Sequence, residues 1–229
     1  MWWVIAVGVA WAVAHGQEPR SAGGLGYVAV GIQEVGSQEV WQRLEQAGYG
    51  MLPRTGFAIG GGGGGWIGRW FLGGEGYGIL ERESAGSRGV ARYAGRYGMF
   101  TLGYAPVLWR GFRMWILGSI GGGELEVRLR QALPSSFDSV LAQPRGSALL
   151  RSGGWLFQPG IRAELQLVPG LLAGVQLGYT VPLGWGALRA EDESTLAGAP
   201  TAALRGGSVR IFLGGGAPWR KAYRDSDGH

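Results

Sequence analysis

Between Leu171 and Val181 the chain alternates strictly. Leu171, Ala173, Val175, Leu177, Tyr179 and Val181 fall on one side, and Leu172, Gly174, Gln176, Gly178 and Thr180 on the other. A period of two belongs to the β-strand, whose successive side chains leave opposite faces, so one face here is apolar and the other largely small or polar. The preceding segment repeats the pattern, with Ile161, Ala163, Leu165 and Leu167 set against Arg162, Glu164 and Gln166. Val168-Pro169-Gly170 joins the two, and Pro-Gly suits the central positions of a type II turn, so the pair is predicted to be a hairpin.

The same grammar recurs along the chain. Leu125, Val127 and Leu129 alternate with Glu124, Glu126, Arg128 and Arg130, and Val209, Ile211 and Leu213 alternate with Ser208, Arg210 and Phe212. Turn chemistry divides the chain into strands at Gly26 to Val35, Gly56 to Trp66, Arg69 to Glu81, Arg88 to Tyr104, Gly111 to Arg130, Trp155 to Val168, Leu171 to Leu183 and Gly206 to Gly214. Within Gly111 to Arg130 the apolar face changes parity between Phe112-Met114-Ile116 and Leu125-Val127-Leu129, which predicts a β-bulge near Gly121 to Gly123.

The connections alternate in length. They run long (36–55), very short (67–68), medium (82–87), short (105–110), long (131–154), minimal (169–170) and long (184–205). Long loops at one rim and tight turns at the other are a property of bacterial outer-membrane barrels. The first long connection is expected to hold a short helix, with Ser37 as N-cap, Val40, Leu44 and Ala47 or Trp41 on one face, and Gly48 as C-cap. If that rim is external, the helix lies across the barrel mouth.

Alternation alone does not say which face is inside, and composition decides it. Charged residues are 16% of the chain against roughly 25% in soluble domains, and there are 47 glycines and 11 tryptophans. In a membrane barrel the polar face turns inward, where complementary charges pair, because an isolated ion buried in a narrow lumen is costly. Glu75, Arg113, Glu124, Glu126, Arg128, Arg130, Arg162, Glu164 and Arg210 are the expected lumen salt-bridge network. Trp66, Trp70, Trp109, Trp115, Trp155, Trp185 and Trp219 fall near strand ends and are the expected membrane-interface girdle, where indole is enriched.

The expected fold is therefore an all-β, antiparallel up-and-down transmembrane β-barrel of about eight strands with one short helix in the first long loop. Residues 1–14 read as a signal peptide, since Trp2 to Trp11 is apolar and Ala12-Val13-Ala14 fits the small-x-small cleavage rule. Residues 24–216 form the barrel and 217–229 a polar tail. The pattern resembles the small eight-stranded outer-membrane barrels typified by the transmembrane domain of outer membrane protein A. The resemblance rests on export signal, strand number and loop asymmetry, and implies an outer-membrane location with lipid as the surrounding partner. Members commonly end on an aromatic residue that closes the last strand. Here that strand stops near Leu213, Phe212 is the nearest aromatic, and the polar tail follows.

Catalytic and cofactor chemistry finds no foothold. The run Gly60 to Gly65 is followed by Trp66-Ile67-Gly68, without the Lys and Ser or Thr that a phosphate loop needs, so it reads as a strand that another element approaches closely. There are no cysteines, and the two histidines are His15, beside the cleavage site, and His229, the last residue. Glu81 with Glu83, and Glu191-Asp192-Glu193, read as solvated acidic loop tips rather than Ca²⁺ sites. The +5 formal charge is carried by scattered arginines with no basic run, which argues against nucleic acid.

No cofactor or metal is expected. The expected role is non-enzymatic, structural or in surface interaction, with binding placed in 131–154 and 184–205. The alternatives are a soluble β-barrel that holds an apolar ligand and a barrel enzyme acting on envelope lipids.

Overall fold

The computed structural model describes residues 22–36, 38–109, 111–131, 147–191, 194 and 196–216. The signal-peptide segment, both histidines, Ser37, the tail and Trp219 lie outside the described residues. Eight long strands and one two-residue strand form a single antiparallel sheet: β1 (Ala22–Glu34), β2 (Thr55–Ile67), β3 (Trp70–Ala85), β4 (Gly89–Trp109), β5 (Phe112–Gln131), β6 (Ser147–Val168), β7 (Leu171–Leu183), β8 (Arg189–Ala190) and β9 (Gly206–Gly216). Each long strand pairs with the next in sequence. The sheet closes where β1 meets β9, from Leu25↔Gly216 to Gln33↔Ser208. The molecule is an up-and-down barrel, in which closure removes the strand edges.

Three tight turns, between β2 and β3, β4 and β5, and β6 and β7, mark the lower rim, together with the ends of β1 and β9. Each holds a glycine at positive φ, with Gly68 at 59°, Gly111 at 88° and Gly170 at 87°. In Pro169-Gly170 this is the left-handed third position that a type II turn requires. The upper rim carries the longer excursions. The medium connection expected at 82–87 is tighter, because β3 and β4 run on to Ala85 and from Gly89. Part of 131–154 is strand, since β6 begins at Ser147; residues 132–146 lie outside the described residues.

Side-chain exposure gives the wall its sense. At the height of the lower turns and above, the outward residues are large and apolar, with Val28 69%, Ile211 62% and Trp155 63% exposed, while Gln33, Glu75, Arg162, Gln176 and Arg210 are buried inside. On β5 the outward apolar or small series runs Phe112, Met114, Ile116, Gly118, Ile120, Gly122. Ten residues at ~3.3 Å rise and a tilt of ~40° span roughly 25 Å, the height of a membrane barrel's apolar band.

Above that band the pattern inverts. On β5 the outward series continues as Glu124, Glu126, Arg128, and the inward residues Leu125 and Val127 are fully buried. The bulge expected at Gly121 to Gly123 is absent: β5 pairs with β6 in unbroken register from Phe112↔Leu165 to Arg130↔Ser147. The apolar residues change face because the solvent changes from lipid to water while the backbone continues straight. Register shifts do occur elsewhere, between Ile79 and Arg82 on β3 and between Tyr104 and Val107 on β4.

Strands β3 to β6 extend furthest, forming a wall whose inner face makes an apolar upper core. Helix α1 (Gln38–Gln46) buries Val40, Trp41 and Leu44 there, with the Trp41 ring 5.2 Å from that of Tyr93. It ends as its sequence predicts. Gly48 sits at φ 85°, its N–H donates to Glu45 O at 2.9 Å, and Tyr49 N–H donates to Leu44 O at 3.0 Å, the paired bonds of a Schellman cap. Segment 184–205, expected as a loop, contributes Leu188, Ala202 and Leu204 to the same core and pairs Ala187 with Thr201 and Gly36 with Ala203.

Candidate functional site

The interior at membrane height is filled by side chains around Glu75 of β3. Its carboxylate accepts hydrogen bonds from Tyr27 Oη (2.9 Å), Tyr77 Oη (3.2 Å), Gln176 Nε2 (3.2 and 3.3 Å) and Arg162 Nη2 (3.4 Å), and Arg210 Nη1 lies at 3.7 Å. Arg162 also donates to Gln176 Oε1 from Nε (2.9 Å) and Nη2 (2.7 Å), and to Tyr27 Oη at 2.5 Å. Arg210 donates to Tyr97 Oη (2.7 Å) and Gln158 Oε1 (3.1 Å). From there Gln158 Nε2 reaches Thr180 Oγ1 (2.8 Å) and Ser208 Oγ (3.2 Å), so the network crosses the lumen.

Aromatic faces also line the buried guanidinium groups. The Arg162 guanidinium carbon lies 4.6 Å from the Tyr27 ring centre and 5.3 Å from that of Phe212, and Arg210 lies 4.2 Å from Tyr77. Nearer the lower rim Arg113 is held between Trp66 (4.6 Å) and Trp115 (4.8 Å). Such contacts stabilise a desolvated cation by about 2 kcal/mol or more. Glu164, across the β5–β6 pairing from Arg113, lies 3.7 Å from Arg162 Nη1.

Glycines make this filling possible. Inward Gly60, Gly62 and Gly64 sit beside Tyr77, Glu75 and the Phe71 ring, and a Cβ on Gly62 would stand 2.7 Å from Tyr27 Oη and 2.9 Å from Glu75 Cβ. The glycine run is wall thinned to admit large side chains.

The residues expected to act together divide. Glu75, Arg113, Arg162, Glu164 and Arg210 are buried in the lumen. Glu124, Glu126, Arg128 and Arg130 are not lumen residues. They stand on the outer face of the upper wall, where Arg96 bridges Glu124 (2.6 Å), Arg151 bridges Glu126 (3.2 Å) and Arg128 bridges Glu126 (3.3 Å). Arg92 joins Glu81 (3.1 Å) and Glu83 (2.9 Å), so these two acids belong to a strand and not to a loop tip.

The girdle divides as well. Trp70, Trp109 and Trp155 face outward, with Trp70 edge-on to Tyr104 at the lower rim (5.0 Å). Trp66 and Trp115 are buried in the lumen, because their strand parity is the inward one. Trp185 leaves the girdle too, lying half-buried against the upper core.

Missed by sequence reasoning were the lumen tyrosines Tyr27, Tyr77 and Tyr97. Their signal was parity: Tyr27 alternates with outward Val28 and Val30, and Tyr77 shares a face with Glu75.

An apolar outer band about a membrane thick, aromatic residues toward its rim and a polar interior crossed by a hydrogen-bonded network define an eight-stranded transmembrane β-barrel of the outer-membrane type. A soluble cup for an apolar ligand needs the opposite sense of wall. Three solved structures are similar in fold. Neisserial surface protein A is 8% identical with a TM-score of 0.48, covering 86% of this chain and 99% of its own. A major outer membrane protein from Thermus thermophilus is 11% identical with a TM-score of 0.47, covering 86% and 99%. Ail, the attachment invasion locus protein of Yersinia pestis, is 14% identical with a TM-score of 0.36, covering 88% and 99%. No protein-family model and no curated protein matches the sequence.

Proposed function

We propose that the chain is exported through its apolar N-terminal segment to an outer membrane, where it serves envelope structure and surface interaction without turning over a substrate. One observation carries this reading: an apolar exterior surrounds an interior occupied by hydrogen-bonded side chains and capped by α1. A filled eight-stranded lumen is not suited to bulk diffusion. What remains available to a partner is the part that rises out of the membrane, namely the charged outer wall of β3 to β6 and the 184–205 segment. The lipid around the band is the constant partner.

The test is gel migration of the membrane-fraction protein, boiled against unboiled in mild SDS. A closed barrel is expected to run faster unboiled and to need detergent for extraction. Recovery in the soluble fraction with no shift would sink the reading.

A further inference from the structure

Just above the apolar band, the outer face carries a cleft of about 480 Å³ that neither the lumen network nor the upper core uses. Its lining includes Glu124 of β5, Arg151 and Gly153 of β6, and Gly186, Arg189 and Glu191 of the segment after β7. Trp155, outward and 63% exposed, stands two residues below Gly153 on the same face of β6, so the cleft begins where the lipid-facing surface ends. That is the depth of lipid headgroups.

The charges are ordered. Arg151 and Arg189 are Cα partners in the β6–β8 pairing, so two guanidinium groups leave the sheet side by side, an arrangement that disfavours pairing unless something negative lies between them. Arg151 leans toward Glu124 (3.7 Å) and Glu126 (3.2 Å). Arg189 makes no ion pair among the described residues, and neither does Glu191. The order across the cleft is carboxylate, guanidinium, guanidinium, carboxylate. Ser152 Oγ, which donates to Gly186 O at 2.6 Å, and Gly186 N–H, which donates to Gly153 O at 3.0 Å, fasten the outer segment to β6 and hold the cleft open.

We propose that this cleft binds the headgroup of an aminophospholipid from the surrounding leaflet. The phosphate lies between Arg151 and Arg189, which are suited to bidentate contact with its oxygens. The ammonium donates to Glu191, since Glu124 is held by Arg96 at 2.6 Å, and the acyl chains run down past Trp155. Arg189 and Glu191, which make no other ion pair among the described residues, match the two charges of a zwitterion, whereas a purely anionic headgroup leaves Glu191 uncompensated. The inference rests on the membrane-barrel reading above.

The test is native mass spectrometry of the barrel folded in a maltoside detergent, with dihexanoyl phosphatidylethanolamine as probe. The expected result is one retained lipid per barrel, in preference to dihexanoyl phosphatidylglycerol, which lacks the ammonium, and dihexanoyl phosphatidylcholine, whose ammonium has no N–H. Arg189→Gln is expected to lower retention about tenfold, as loss of a charge-assisted contact does, while Arg92→Gln on the same wall outside the cleft leaves it unchanged. Equal retention of the three lipids, or equal loss in the two variants, overturns the proposal. So does displacement by O-phosphoethanolamine as readily as by the lipid, which would mean a soluble ligand. A barrel that shows the unboiled gel shift yet fails these comparisons defeats this inference alone; a protein soluble without detergent defeats both readings.

Discussion

Glu75 illustrates how this interior stays folded in a low-dielectric surrounding. A buried carboxylate is tolerated when its lone pairs are filled and opposite charge is near, and here two tyrosines, a glutamine and two arginines converge on it. Removing it strands two guanidinium groups. Glu75→Ala is therefore expected to destabilise the barrel by on the order of 3–5 kcal/mol, read as a lower urea midpoint for unfolding from detergent or vesicles. Glu81→Ala, which breaks a half-exposed pair with Arg92, is expected to cost about 1 kcal/mol or less. Equal effects would mean that the lumen network is not what holds the wall together.

At the scale of elements, strand spacing is set by what each glycine faces. Gly174 lies opposite Phe212, and a Cβ there would stand 2.2 Å from Ala163 O and 2.4 Å from Phe212 Cζ. Gly118, on the outward face of β5, has open space. Gly174→Ala is expected to cost about 1–3 kcal/mol through overpacking, and Gly118→Ala to be neutral or slightly stabilising, with unfolding midpoints as the measure. Helix α1 depends on one large side chain in the same way. Trp41→Ala empties a site against Tyr93 and is expected to speed protease cleavage in 35–54 while the unboiled band shift survives, since the strand ladder below does not include the helix. Loss of the band shift would show that cap and barrel fold as one unit.

The whole molecule consists of two parts built on one set of strands. The lower part is inside out, with apolar residues facing lipid and a polar core. The upper part has the ordinary order, with ion pairs outside and Leu125, Val127, Tyr93 and Trp41 within. The boundary predicts fluorescence quenching by lipids brominated along their chains. Trp70, Trp109 and Trp155 are expected to be quenched, so replacing any of them by Phe lowers the quenched share, whereas replacing Trp66 or Trp115 removes unquenched emission. Efficient quenching of Trp115 would place that ring in lipid and reverse the parity of β5.

Much of this was legible from order along the chain, because the period of two, the Pro-Gly turn and the alternating connection lengths are local properties. They determined eight strands, their sequence-neighbour pairing, the hairpin at Pro169-Gly170 and the helix ending at Gly48. The buried core of the site was partly legible as well, since Arg162, Glu164 and Arg210 face opposite their apolar neighbours. What local order leaves open is where along a strand lipid gives way to water. That height depends on every neighbouring strand at once, so only the tertiary structure decided that Glu124, Glu126, Arg128 and Arg130 stand outside the upper wall. The same structure decided that Trp66 and Trp115 turn inward and that 184–205 packs into a core. A parity change in sequence is the same signal for a bulge and for a change of solvent, and the unbroken β5–β6 register is what separates them.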